Sequence, residues 1–138
     1  LGFEVTVIDD RAEYASKTNI PDADNFIVKN IGHAMAELRK DADTYIVIAT
    51  RGHSHDADAL KPCIGSQAAY VGMMGSRVKV AKMHTEFITN GWATETQWAS
   101  VCTPIGIAIG SVTVEEIAVS IAAQLINYRG IRQDRTNR

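Results

Sequence analysis

Four absences narrow the reading of this chain. No apolar run comes near the roughly 20 residues that a transmembrane helix needs, and no leader of charged, apolar and small residues is present. A cytoplasmic protein without membrane contact is therefore expected. Charge of one sign is also missing: a net charge of −2 offers no field to draw nucleic acid or an anionic bilayer, so any anion site must be local. Cysteine is scarce. Cys63 and Cys102 stand far apart, in no C-x-x-C or Cys/His ligand spacing, which argues against a disulfide framework or structural zinc and leaves two buried thiols as the expectation. Finally, no glycine-rich phosphate loop precedes the first strand.

What is present suits one globular domain. The 138 residues, 46% hydrophobic and 22% charged, can bury a single core, and no repeat or low-complexity linker interrupts them. Phe3, Val5, Val7 and Ile8 form a β-branched run stopped by Asp9-Asp10-Arg11, which predicts a strand covered on both faces. Asn25–Val28 reads as a second, shorter strand. Ile31, Ala34, Met35 and Leu38 then fall at helical spacing, with Asn30 placed to cap them. Tyr45–Ala49 is apolar enough for a central strand, and Ser54 or Asp56 could start a helix through Ala57 and Leu60. Ala69–Met74 predicts another strand. The following helix would turn Val78, Ala81, Phe87 and Ile88 inward, with Gly91 as its stop. Ser100-Val101-Cys102 could add a last short strand. Thr113-Val-Glu-Glu116 is a capping box, and Val114, Ile117, Ala118, Ile121, Leu125 and Tyr128 form a helical stripe behind it. That helix should end at Gly130, giving a domain over residues 1–130 and a polar, disordered tail over 131–138.

Strands alternating with helices imply an α/β fold, a doubly wound, mostly parallel sheet of the Rossmann-like three-layer type. It lacks the usual first strand and glycine loop. Removing that strand from the order 3-2-1-4-5-6 leaves 3-2-4-5-6, which either closes directly in flavodoxin order or needs a partner chain over the gap. Val5, Val7 and Ile8 on one side, with Ile46 and Ile48 on the other, would then edge a vacant position and favour a homodimer.

Ligands of open α/β sheets sit beyond the carboxyl ends of the strands. The candidate rim is Asp9, Asp10 and Arg11; Thr50 to Asp56; Gly75 to Arg77; and Cys102 to Gly110. Asp9 and Asp10 either end a strand or hold ribose hydroxyls. His53 and His55, beside Asp56 and Asp58, read as a capping loop with exposed imidazoles or as ligand or proton-transfer groups; no metal site is assigned. Gly75, Ser76, Arg77 and Lys79 place cations at the positive end of a helix, either a solvated basic face or a phosphate cradle. Thr103-Pro104-Ile105-Gly106, continuing to Gly110, is either a tight connection or a floor for a flat ligand.

Together these stretches resemble one family. Gly2-Phe-Glu-Val-Thr-Val-Ile-Asp-Asp-Arg11, Thr50-Arg-Gly-His-Ser-His-Asp56, Tyr70-Val-Gly-Met-Met-Gly-Ser-Arg77, Thr103-Pro-Ile-Gly106 and Val114-Glu-Glu-Ile-Ala-Val-Ser-Ile121 resemble the C-terminal Rossmann-like domain of the XdhC/CoxI family, the xanthine dehydrogenase accessory factors. Ile107-Ala108 stands where that family often has Leu-Asp, and Val114 where it often has Pro. The resemblance implies that a first strand and glycine turn precede Leu1, and that the molybdenum cofactor (molybdopterin) is bound. It implies partnership with a cysteine desulfurase and delivery of the sulfurated cofactor to a molybdenum hydroxylase apoenzyme. Ser76, Arg77 and Lys79 would then lie near phosphate and Asp9 or Asp10 near a polar edge of the pterin, with Arg11, Thr50, His53, His55, Gly75, Pro104 and Gly106 completing the rim. No residue stands out as a catalyst. The alternatives are an NAD(P)-binding Rossmann oxidoreductase, which Asp9 and Asp10 favour, and a nucleotide-sensing module that signals by dimerisation.

Overall fold

The computed structural model describes all 138 residues, in two compact units, residues 1–39 and 40–138. In the first, β1 (Thr6–Asp9) and β2 (Asn25–Val28) pair in parallel, Thr6 against Asn25 through Asp9 against Val28. β1 starts later than the apolar run suggests, because the Val5 carbonyl is taken by the amides of Asp24 and Asn25 at the turn into β2. Asn30 caps α1 (Ile31–Glu37) as expected, its side chain accepting from the His33 amide at 3.0 Å. Ile31, Ala34 and Met35 then join Ala15 and Ala23 in a small core.

The second unit holds β3 (Tyr45–Ile48) and β4 (Tyr70–Met73), also parallel, Tyr45 against Tyr70. Hydrogen bonding thus gives two two-stranded parallel ladders rather than one five-stranded array. Cys102 extends the second ladder by a single parallel bridge to Gly72. On β3, Ile46 and Ile48 are buried while Val47 is 43% exposed, so this strand is covered on one face.

Around β3 and β4 run α2 (His53–Leu60), α3 (Arg77–Thr89), α4 (Glu95–Ala99) and α5 (Val114–Thr136). In α3 the buried face differs from the expected one. Val78 is 82% exposed and Ala81 exposed; Phe87 is fully buried as expected and Ile88 half-buried, while Met83, one turn before Phe87, is fully buried as well. Trp92 and Trp98 explain this, with ring centroids 5.4 and 5.5 Å from Phe87 and so an apolar surface for that side of α3. Burying Phe87 and Met83 contributes about 1.5–3 kcal/mol each. Thr94 and Gln97 form a reciprocal capping box that starts α4, an element the apolar periodicity does not signal.

The Thr113 box forms as expected: the Thr113 hydroxyl accepts from the Glu116 amide, and Glu116 accepts from the amides of Thr113 and Val112. Gly130, however, does not end α5, and the 131–138 segment is no separate tail; the helix continues to Thr136 and Arg132 pairs with Asp43 at 2.6 Å. A mid-helix glycine costs only about 1 kcal/mol, and Gly130 is not in the left-handed conformation that stops a helix. The expected apolar stripe is also displaced. Val114 and Ala118 are exposed, Ile117, Ile121, Leu125 and Tyr128 half-buried, and the one buried residue is Ser120. No helix is long and apolar enough to cross a membrane.

Candidate functional site

In the second unit, three connections leave the carboxyl end of the β3–β4 ladder, and each is locked differently. After β3, the chain turns through Thr50 and Gly52 into α2. Neither Ser54 nor Asp56 caps that helix; Gly52 holds the cap position without a side-chain bond. Asp56 points inward instead, 2% exposed. It accepts from the Thr50 hydroxyl at 2.6 Å, the Thr50 amide at 3.2 Å and the Lys79 ammonium at 2.8 Å. A buried carboxylate with three donors ties the β3 loop to α3. Beside it His53 Nε2 meets Glu86 Oε2 at 2.7 Å, a second α2–α3 link.

After β4, Gly75 leads into α3. Ser76 caps the helix, its hydroxyl accepting from the Lys79 amide at 3.2 Å. Arg77 is exposed with no ion partner, and the amides of Arg77 and Val78, at the positive end of a 13-residue helix, have no protein acceptor. Of the three expected phosphate residues, then, Arg77 is available, Ser76 is occupied as a cap and Lys79 is held by Asp56. His55 is half-buried and unpaired. No three His, Cys, Asp or Glu side chains come together as a metal-binding set.

The third connection, Thr103 to Gly110, is gripped by α5. Gln124 binds both backbone groups of Gly106, accepting from its amide at 2.9 Å and donating to its carbonyl at 3.1 Å. The same amide oxygen accepts from the Tyr70 hydroxyl at 2.6 Å. Ser120 donates to the Ile107 carbonyl at 2.6 Å, and the Ile105 amide donates to the Met73 carbonyl at 3.1 Å. Two glycines make this possible. At Gly106 (φ +99°) a Cβ would fall 2.3 Å from Ser120 Oγ, and at Gly72 one would strike the Tyr70 ring folded across it. Pro104 lies in the same loop, after a cis peptide bond.

Tyr70, Ser120, Gln124 and Tyr128 carry no motif that marks them in the sequence. Tyr70 is 2% exposed and its ring packs edge-on against Tyr128 at 5.0 Å. Burial keeps the Tyr70 phenol protonated far into the alkaline range. Tyr128 meets Cys102 Sγ at 3.0 Å, and this bond, with burial, pushes its phenol up to about 12. Cys102 is half-buried; Cys63 is buried, and burial pushes its thiol up to about 11. Two cavities open near the amino ends of these strands, away from the rim. One of about 320 Å³ is lined by Cys63, Ala69, Tyr70 and Tyr128, and one of about 500 Å³ by Asp43, Tyr45, Arg129 and Arg132.

In the first unit the strand-end carboxylates are engaged locally. Arg11 grips Asp9 through two side-chain nitrogens, at 3.0 and 3.1 Å, and stacks 4.0 Å over the Tyr14 ring, with Asp10 at 3.9 Å. The Arg11 hydrogen bonds outweigh partial burial and hold the Asp9 carboxyl below its usual range.

Comparison with known proteins gives this geometry a setting. A family model described as the XdhC Rossmann domain matches residues 1–125. A probable xanthine dehydrogenase component of Bacillus subtilis (strain 168) is 29% identical over 93% of this chain and 36% of its own length. An uncharacterized protein, YqeB, of Escherichia coli (strain K12) is 29% identical over 94% of this chain and 24% of its own. The crystal structure of a xanthine dehydrogenase from Bacillus halodurans superposes with a TM-score of 0.78 at 27% identity, over 94% of this chain and 36% of that one. The chain therefore spans about a quarter to a third of the length of its relatives, and its parallel α/β architecture is Rossmann-like.

Proposed function

This chain belongs to the XdhC family through its Rossmann domain, and from that premise we propose that it handles the molybdenum cofactor as cargo for enzymes of the xanthine dehydrogenase type. In this reading the carboxyl-end rim of β3 and β4 orients molybdopterin while a cysteine desulfurase supplies activated sulfur, and a molybdenum hydroxylase apoenzyme receives the product. The domain binds and positions; it need not break or make a bond itself. The relatives carrying xanthine dehydrogenase names support the enzyme class served.

One observation carries the ligand reading. The start of α3 presents the Arg77 guanidinium and two unsatisfied amides, donor chemistry that fits the phosphate of the cofactor. The Asp56–Lys79 lock fixes that helix end relative to the β3 loop. Lys79 supports the site by position, and Gly106 and Pro104 offer a backbone edge to the pterin. Asp9, held twice by Arg11, is a poor ribose acceptor, which weighs against a dinucleotide.

Thermal denaturation of the purified chain with and without added molybdopterin tests this. A ligand at a hundredfold excess over its Kd stabilises by about 2.7 kcal/mol, so a rise of several degrees in Tm is expected. The rise should fall sharply in Arg77→Ala and be absent with NAD or NADP. A rise with the dinucleotides alone would overturn the reading.

A further inference from the structure

From Pro104 to Ile107 the backbone has no donor left for a ligand. Pro104 lacks an amide proton, the Ile105 amide donates to the Met73 carbonyl at 3.1 Å, the Gly106 amide to Gln124 at 2.9 Å, and the Ile107 amide to the Ser120 carbonyl at 3.3 Å. Side chains around the loop are spent in the same way. The Thr103 hydroxyl donates to the Met73 carbonyl at 3.0 Å, the Ser120 hydroxyl to the Ile107 carbonyl, and the Tyr70 hydroxyl to Gln124. Acceptors remain: the carbonyls of Pro104 and Ile105 take no bond from any group of the chain. Ile107 and Ile109, 37% and 51% exposed, add apolar surface to the same loop. The start of α3 is the opposite case, since the Arg77 guanidinium and two open amides are all donors. The rim therefore has a donor end and an acceptor end.

We propose that the loop after Cys102 selects its ligand by the donors it carries, reading an aminopyrimidinone edge on which an exocyclic amine and a ring N–H stand side by side, and that Gln124 is the positioning residue behind this preference. This rests on the reading of the rim as a pterin site and adds which edge of the ring is read and which way round it lies, with phosphate on α3 and the amine on the loop. Gln124 acts through Gly106. Its carboxamide oxygen takes the Gly106 amide, the donor that would otherwise attract a ligand carbonyl, and its nitrogen takes the Gly106 carbonyl, so that Pro104 and Ile105 supply the acceptors. A ring with oxygen in place of the amine sets carbonyl against carbonyl, with no donor on the loop to relieve it. Guanine carries the same edge as a pterin. The two share the chemistry, and titration separates them.

Fluorescence and ligand-observed NMR titrations of the 138-residue chain read this out, with pterin against lumazine, which has oxygen in place of the amine, and guanosine monophosphate against inosine monophosphate, which lacks the amine. Pterin should bind about ten- to hundredfold more tightly than lumazine, the cost of leaving a carbonyl acceptor unpaired. Gln124→Ala opens the Gly106 amide and should bring pterin and lumazine to nearly equal affinity. Gln124→Glu, whose carboxylate still accepts from the Gly106 amide and the Tyr70 hydroxyl, should keep the preference. Circular dichroism establishes that each variant folds, and the wild-type ratio stands as a test by itself. Equal binding of pterin and lumazine to wild type, a preference that survives in folded Gln124→Ala, or no binding of either amine-bearing ligand at millimolar concentration would overturn the proposal. Molybdopterin binding alongside equal pterin and lumazine affinities would overturn it while leaving the cofactor reading in place. Preference for guanosine over inosine monophosphate, with pterin and molybdopterin inert, would support the edge selection, assign it to a nucleotide and overturn the cofactor reading instead.

Discussion

The loop after β3 and the loop after Cys102 leave the same end of one ladder, yet the first is closed by a charge and the second by a neutral amide. Asp56 gathers the Thr50 hydroxyl, the Thr50 amide and the Lys79 ammonium. Gln124 gathers the Gly106 amide, the Gly106 carbonyl and the Tyr70 hydroxyl. Both locks use three bonds. The first depends on keeping an ion in a place where water barely reaches; the second needs close approach, and therefore glycine at 72 and 106. A charged lock tolerates shape changes and is intolerant of losing its partner. A neutral one loses less when a partner goes, but it allows no change of shape at the glycines.

Breaking the charged lock should have the largest effect. Asp56→Ala leaves Lys79 without its carboxylate and frees the β3 loop; removing one partner of a buried pair costs about 3–5 kcal/mol, and because Lys79 is 33% exposed the lower end applies. A urea midpoint shift at constant m-value measures it. Gln124→Ala should cost about 2 kcal/mol, by stranding the Tyr70 hydroxyl and two backbone groups of Gly106 at partly buried positions. Its cost should be the same at about pH 8 and about pH 6, since no member of that lock titrates there.

The smallest effect lies just beyond the second loop, at a charge in the first turn of α5. The amides of Thr113 and Val112 hold the Glu116 carboxyl below its ordinary value of 4.5. A folded-state value below the unfolded one gives stability that is present above pH 4.5 and lost as pH falls through the folded value. Acid titration followed by circular dichroism should therefore show a slight loosening at the start of α5 below pH 4.5, absent in Glu116→Gln.

How far these locks are legible follows from what each needs. Caps are local, and Asn30 and Thr113 act where the sequence places them, while Ser76, read as a phosphate residue, caps α3 instead. The Thr94–Gln97 box carries the same signal but opens only a five-residue helix, too short to show an apolar period. The rim loops are legible from the strand-end rule. Their pairings are not: Asp56, at the start of a helix, has the position of a cap, and its partner Lys79 lies 23 residues away. In α5 the failure has a different cause. Apolar periodicity reports the inward face only when water covers the other side. Val119 and Ile126 make the far side apolar too, so the period loses its phase, and Ser120 and Gln124 read as surface.

The Thr103–Gly110 connection has no helix or strand, yet the amides of Ile105, Gly106 and Ile107 all have acceptors, at 3.1, 2.9 and 3.3 Å. Its conformational entropy is surrendered when the chain folds. A ligand that touches this loop meets a preorganised backbone and does not bear the cost of about 1–2 kcal/mol per residue that ordering a flexible loop would impose. Much of its affinity would then be set by residues on α5 that never touch it.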